Sequence, residues 1–172
     1  MTRSSAREAE LDNALAEALR HDTEFARWFL RQTRFVSYDA TCVEVRADNP
    51  WSRVTLRLPN ERGDTHEEVV RDAETDVLAI YEAQDGRRIA LHIENKLAGG
   101  AFTPHQPASY RERLAQWRGR PKLGRYQDAT SVLVAPQVFY DRNIEESKAF
   151  DAFVSHEAIA EHLPAFAGGS AA

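Results

Sequence analysis

The stretch from Glu74 to Lys96 constrains this chain most. Two apolar runs, Val77-Leu78-Ala79-Ile80-Tyr81 and Ile89-Ala90-Leu91-His92-Ile93, flank the pair Asp85-Gly86. Apolar runs on either side of such a pair predict two strands joined as a β-hairpin. Side chains alternate along a strand, so Ile89, Leu91 and Ile93 form a core face, while Ala90, His92, Glu94 and Lys96 share the other. Turn length then sets the register. A two-residue loop would pair Gln84 with Arg87 and place Asp76 opposite Asn95. A three-residue loop, Gln84-Asp85-Gly86, with Gly86 left-handed, pairs Glu82 with Arg88, Tyr81 with Ile89, Ala79 with Leu91 and Val77 with Ile93. In that register every cross-strand pair is compatible, and Asp76 faces Glu94.

Two facing carboxylates repel unless positive charge lies between them. A hard divalent cation held by oxygens satisfies that demand. Such an ion polarises a phosphodiester and acidifies a bound water. Lys96 could orient that water or stabilise charge developing on phosphorus. The competing reading is a sheet edge carrying an ordinary charged cluster into solvent.

The remaining chain supplies elements for one domain. It has 172 residues, enough for a substantial core, and a formal net charge of −5. A single cysteine, Cys42, excludes an internal disulfide framework and reads as a small buried hydrophobe. No apolar run reaches the ~20 residues of a membrane span, and the N-terminus lacks an apolar signal segment, so a cytoplasmic protein without membrane contact is expected. A homo-oligomer is compatible with the sequence.

Residues 6–32 show helical spacing through Leu11, Leu15, Ala18 and Leu19, then Phe25, Trp28 and Phe29, as one bent helix or two with a cap at Thr23. Val43 and Val45 alternate in a strand over Thr41–Arg46, and Val54, Leu56 and Leu58 alternate in another. The polar run from Pro59 to Asp72 reads as a loop with a short helix near Glu67–Arg71. A helix is expected over Gln106–Trp117, a strand over Thr130–Ala135, and helices over Ile144–Val154 and His156–Leu163. The expected fold is α/β: one mixed sheet flanked by helices, in the core order α-β-β-β-α-β. It forms a single domain over residues 1–166, with a frayed tail over 167–172. Trp28 and Trp51 are read as core or surface packing.

Asp76, a hydrophobic strand and Glu94-Asn95-Lys96 resemble the signature of the PD-(D/E)XK nuclease superfamily. Ten residues beyond Lys96, Gln106-Pro107-Ala108-Ser109-Tyr110 resembles the Gln-x-x-x-Tyr motif of its RecB-type and lambda-exonuclease-type branches. The resemblance spans roughly Glu74 to Ala135. It implies a restriction-endonuclease-like fold and magnesium-dependent (or manganese-dependent) hydrolysis of phosphodiester bonds in DNA. It makes Asp76 and Glu94 metal ligands, with the Asn95 backbone carbonyl as a further ligand. Lys96 becomes catalytic, with Gln106 and Tyr110 supporting the site. Thr75 stands where the pattern has proline. The acid that the superfamily often carries on its first helix is assigned to Glu24, with Glu17 behind it. The alternative is an inactive module of the same fold that binds nucleic acid or a protein partner.

Two further features accompany the motif. Gln106, Tyr110, Arg113 and Trp117 share one helical arc, which either faces the site or simply packs. Residues 111–125 carry Arg111, Arg113, Arg118, Arg120, Lys122 and Arg125 against one acid, Glu112. This reads as a phosphate-tracking rim for DNA. His92 is read as a packed strand histidine, and His105 as a group able to approach metal or phosphate.

Overall fold

The β-hairpin forms in the three-residue register. In the computed structural model, which describes residues 3–59, 62, 63 and 65–168, β4 (Val77–Ala83) runs antiparallel to β5 (Arg88–Asn95). Val77 lies opposite Ile93, Leu78 opposite His92 and Glu82 opposite Arg88. The Ala83 N–H bonds the Arg87 carbonyl at 2.9 Å, which leaves Gln84-Asp85-Gly86 as the loop, with Gly86 at φ 79°. A positive φ costs glycine nothing, and this conformation matches the twist of the strands.

Three more strands complete the sheet. β1 (Ala40–Arg46) pairs antiparallel with β4. β6 (Asp128–Ala135) lies parallel to β5, and β7 (Ala152–Ser155) parallel to β6. The result is a five-stranded mixed sheet in the order β1-β4-β5-β6-β7. Within β1, Val43 is the extra residue of a bulge between Cys42 and Glu44, and is exposed rather than aligned with Val45. The bulge restores Val45 to the core side.

Helices cover both faces. α1 (Arg3–His21) and α2 (Thr23–Arg31) lay Leu11, Leu15, Leu19, Phe25 and Phe29 on Val77, Ala79, Tyr81, Leu91 and Ile93. Each such side chain contributes about 1.5–3 kcal/mol of transfer free energy. The break between the two helices is capped by Asp22, not Thr23: its carboxylate accepts the Phe25 N–H at 3.0 Å. On the opposite face, Leu78, Ile80 and Ala90 pack with Trp117, Leu123 and Tyr126. α3 (Gln106–Gln116) lies on that side.

Three expectations are corrected. Residues Glu67–Arg71 are not helical: they belong to β3 (His66–Glu74), which pairs with β2 (Trp51–Pro59) in a separate two-stranded ribbon. The β-branched pair Val69-Val70 finds partners in Leu56 and Thr55 across that ribbon. The sheet is therefore two sheets, with the ribbon's apolar side (Val54, Leu56, Ala73) packed beside Trp117. The helix over Ile144–Val154 shrinks to α5 (Ile144–Ser147), preceded by α4 (Gln137–Arg142). It stops because the Asp151 carboxylate accepts the Ser131 N–H and its hydroxyl, at 2.9 and 3.1 Å, and docks the next residues as β7. The helix expected over His156–Leu163 covers only α6 (His156–Ala160). Residues 169–172 of the expected tail lie outside the described residues. No helix among the described residues is long and apolar enough to cross a membrane.

Gly124 offers a test of this packing. It sits at φ 88°, and a Cβ there would lie 2.7 and 2.8 Å from two carbons of buried Ile80. Gly124→Ala should combine backbone strain with overpacking and cost about 1–3 kcal/mol, read as a lowered denaturation midpoint. An unchanged midpoint would show that the loop after α3 is not locked to the sheet.

Candidate active site

The ladder between β4 and β5 ends at Val77 and Ile93, and the next residues are Asp76 and Glu94. Both line a cleft of about 410 Å³ whose walls are the β3 edge of the ribbon, the start of α3 and the loop Thr103–His105. Strand twist and ladder end thus place two acids at the mouth of a cavity, while their neighbours Val77 and Ile93 are sealed in the core.

Glu94 is only 2 % exposed and is held by three donors. Gln106 Nε2 donates to one carboxylate oxygen at 2.5 Å, and Lys96 Nζ lies 2.7 Å from the same oxygen. The Tyr110 hydroxyl donates to the other oxygen at 2.5 Å. The four-residue spacing puts Gln106 and Tyr110 one turn apart on α3, so both reach one carboxylate. Thr75, in the place of the pattern's proline, is buried; its hydroxyl lies 3.2 Å from that of Tyr110. Asp76 accepts the Asn95 N–H at 2.8 Å.

Of the acids on the first two helices, Asp12 rather than Glu24 lies beside the strand end. Glu24 lies in solvent on α2 beside Arg27, and Glu17 is exposed and paired with Arg20. Asp12 instead accepts from the Asn95 side-chain amide at 2.8 Å, and the Asn95 amide oxygen lies 2.8 Å from Nε2 of buried His156. An amide oxygen only accepts, so His156 carries its proton on Nε2. This chain of three side chains fixes the amide of Asn95 and aims α1's acid at the strand end. Asp12 occupies the helical stripe of Leu11, Leu15 and Leu19, displaced by one position, and that placement is the signal in the sequence that points to it.

Burial and mutual repulsion set the charges here. Burial pushes the Asp12 carboxyl up to about 7, with Glu94 and Glu8 adding to the rise while the Asn95 bond opposes it. Burial, then Glu94, then Asp12, hold Asp76 well above the usual carboxylate range. Burial disfavours the Lys96 ammonium, but Glu94, Asp76 and Glu8 together outweigh it and raise its pKa. Burial and Glu94 raise the Tyr110 phenol, keeping it protonated as a donor.

The rim is partly redrawn. Arg113 is 2 % exposed, and its guanidinium stacks 3.6 Å above the centre of the Tyr110 ring, bonded to the Ser109 hydroxyl at 3.0 Å. It buttresses the site from beneath. Arg120 is half-buried, donating to the Gln116 carbonyl and Ser52 hydroxyl. Arg118 is paired with Asp128 at 3.1 Å. Arg111, Lys122 and Arg125 are exposed. His105 is exposed at the cleft with a left-handed backbone, φ 64°. His92 is buried and bonded to the Tyr126 hydroxyl at 2.9 Å, a packed strand histidine as expected.

Among the described residues, no three His, Cys, Asp or Glu side chains converge to form a ready metal cage. The Asp76–Glu94 pair matches the sparser need of magnesium, which keeps several waters and takes one or two carboxylates. No protein-family model, curated protein or solved structure matches the chain.

The raised Asp12 pKa gives a pH test in chelator. Its stabilising contribution is full below the unfolded carboxyl value near 3.9 and is lost as pH rises through about 7. His92 and His156, lowered by burial to about 3 and about 4, act oppositely, losing stability as pH falls through about 6.5. Comparison of variant with parent isolates the acid. Asp12→Asn should be more stable than the parent at pH about 8, by about 1 kcal/mol or 2–4 °C, and the gap should close by pH about 4. A variant less stable at both pH values would make Asp12 a structural anchor.

Proposed function

We propose that this chain is a magnesium-dependent nuclease of the PD-(D/E)XK type, hydrolysing phosphodiester bonds, with DNA as substrate. The observation that carries the reading is the Glu94 carboxylate gripped by Lys96, Gln106 and Tyr110 beside a second acid, Asp76, at a cleft. A salt bridge built for stability alone does not need two further donors on one buried carboxylate and a second buried acid beside it. The order α1, β1, β4, β5, α3, β6, with the β2–β3 ribbon inserted after β1, supports the restriction-endonuclease-like core that the resemblance implies.

Asp76 and Glu94 would hold the ion, with the Asn95 carbonyl as a further ligand and Asp12, bonded to the Asn95 amide, as a nearby acid. The ion would supply charge neutralisation at the phosphate and an acidified water. Lys96, pinned by Glu94, is placed to orient the attacking water and to donate to a phosphate oxygen. Gln106 and Tyr110 keep Glu94 from rotating, and Arg113 holds the Tyr110 ring.

Labelled single- and double-stranded DNA with magnesium or manganese tests the reading. Single-turnover cleavage should fall by about 10²–10³ in Lys96→Ala with little change in DNA affinity. Asp76→Asn and Glu94→Gln should abolish both cleavage and manganese binding by calorimetry. The nuclease reading is falsified if Lys96→Ala cuts normally. Manganese or DNA binding without any cleavage by the parent would make this an inactive module of the same fold.

A further inference from the structure

The β2 edge of the ribbon bounds a second cavity of about 500 Å³, lined by Arg46, Trp51, Ser52, Arg53, Arg120 and Lys122, together with Leu123. No acid lines it. Trp51, expected to be a packing residue, leaves 61 % of its surface in solvent. Lys122 is exposed and has no ion pair among the described residues. Arg53 reaches Asp72 only at 3.8 Å. Arg46 forms the wall, braced by Asp48 at 3.0 Å and by the Lys122 carbonyl at 2.8 Å.

This groove and the carboxylate cleft flank the same three cross-strand pairs. Trp51, Ser52 and Arg53 line the groove, and their partners Glu74, Ala73 and Asp72 line the cleft. One ribbon, two strands about 5 Å apart, therefore separates them. The chain as a whole is acidic, so cations collected without a lining acid around an exposed indole are a local departure from its composition.

We infer that the Trp51 groove binds a single strand of nucleic acid, with an unpaired base stacked on the indole and the phosphates on Lys122 and Arg53. A flat aromatic ring is indifferent to base identity but needs a base free of its complement. The cations follow the backbone. A protein hot spot would need several apolar neighbours around the tryptophan, and the groove offers one, Leu123, against a serine and four cations. The inference rests on the nuclease reading and narrows its substrate to DNA with a single-stranded segment, leading across the ribbon to the cleft.

The test is anisotropy of labelled oligothymidylate in chelator, where nothing is cut. Trp51→Ala should weaken binding about tenfold, within the range that stacking of one base on an aromatic ring supplies. Replacing thymidines with abasic sites should weaken the parent similarly and leave Trp51→Ala nearly unaffected. Lys122→Gln with Arg53→Gln should lower the log–log salt slope by about 0.7 for each phosphate no longer neutralised. All three residues are exposed, so folding should persist, checked by circular dichroism. Equal affinity of parent and Trp51→Ala, or tighter binding of a matched duplex that ignores Trp51, overturns the groove. Cleavage is scored separately: binding lost in Trp51→Ala without cleavage by the parent sustains the groove and defeats the nuclease, and the reverse pattern does the opposite.

Discussion

The β4–β5 hairpin concentrates charge at the point where its apolar pairing ends, and the rest of the molecule is arranged around that end. Alternate pairs, Tyr81–Ile89, Ala79–Leu91 and Val77–Ile93, are sealed beneath α1 and α2 on one face. The next step along the ladder brings two carboxylates out of the core and into each other's field. Repulsion and burial there are offset by Lys96 from the same strand, by Gln106 and Tyr110 from α3, and by the amide chain from Asn95 to Asp12 and His156. A slip of one residue in the turn would send Asp76 to the opposite face and leave Glu94, held by α3, without a second acid beside it.

The supporting shell explains why buried polar groups cluster so heavily around one strand end. Arg113 spends a buried guanidinium on the Tyr110 ring, and Thr75 sits within hydrogen-bond reach of the Tyr110 hydroxyl. Groups this far from water carry desolvation costs that a purely structural interior avoids with apolar side chains. Their retention beside an open cleft fits a site kept rigid for chemistry.

The β2–β3 ribbon bounds two cavities. It closes the cleft with β3 and the Trp51 groove with β2, so a thin wall of paired backbone lies between a polar acidic cavity and a basic one. The groove's cations include two that residue spacing groups with the rim, Arg120 and Lys122, and two from strands far earlier in the chain, Arg46 and Arg53.

The hairpin, its three-residue turn, the faces of β4 and β5, and the reach of Gln106 and Tyr110 toward one point are all legible in the amino-acid order. Those features depend on alternation, turn chemistry and helical spacing, which act over a few residues. The remaining features depend on how distant segments meet. Glu24 reads as the helix acid beside Phe25, yet Asp12 reaches the site, because only the packing angle of α1 on the sheet says which turn of the helix lies over the strand end. Glu67–Arg71 is strand because β2 offers a partner, and Ala152–Ser155 because β6 does: pairing energy comes from the neighbour, not from the segment's own propensity. Arg113 reads as rim and lies buried, since charge in a sequence does not say whether an aromatic ring will be stacked beneath it.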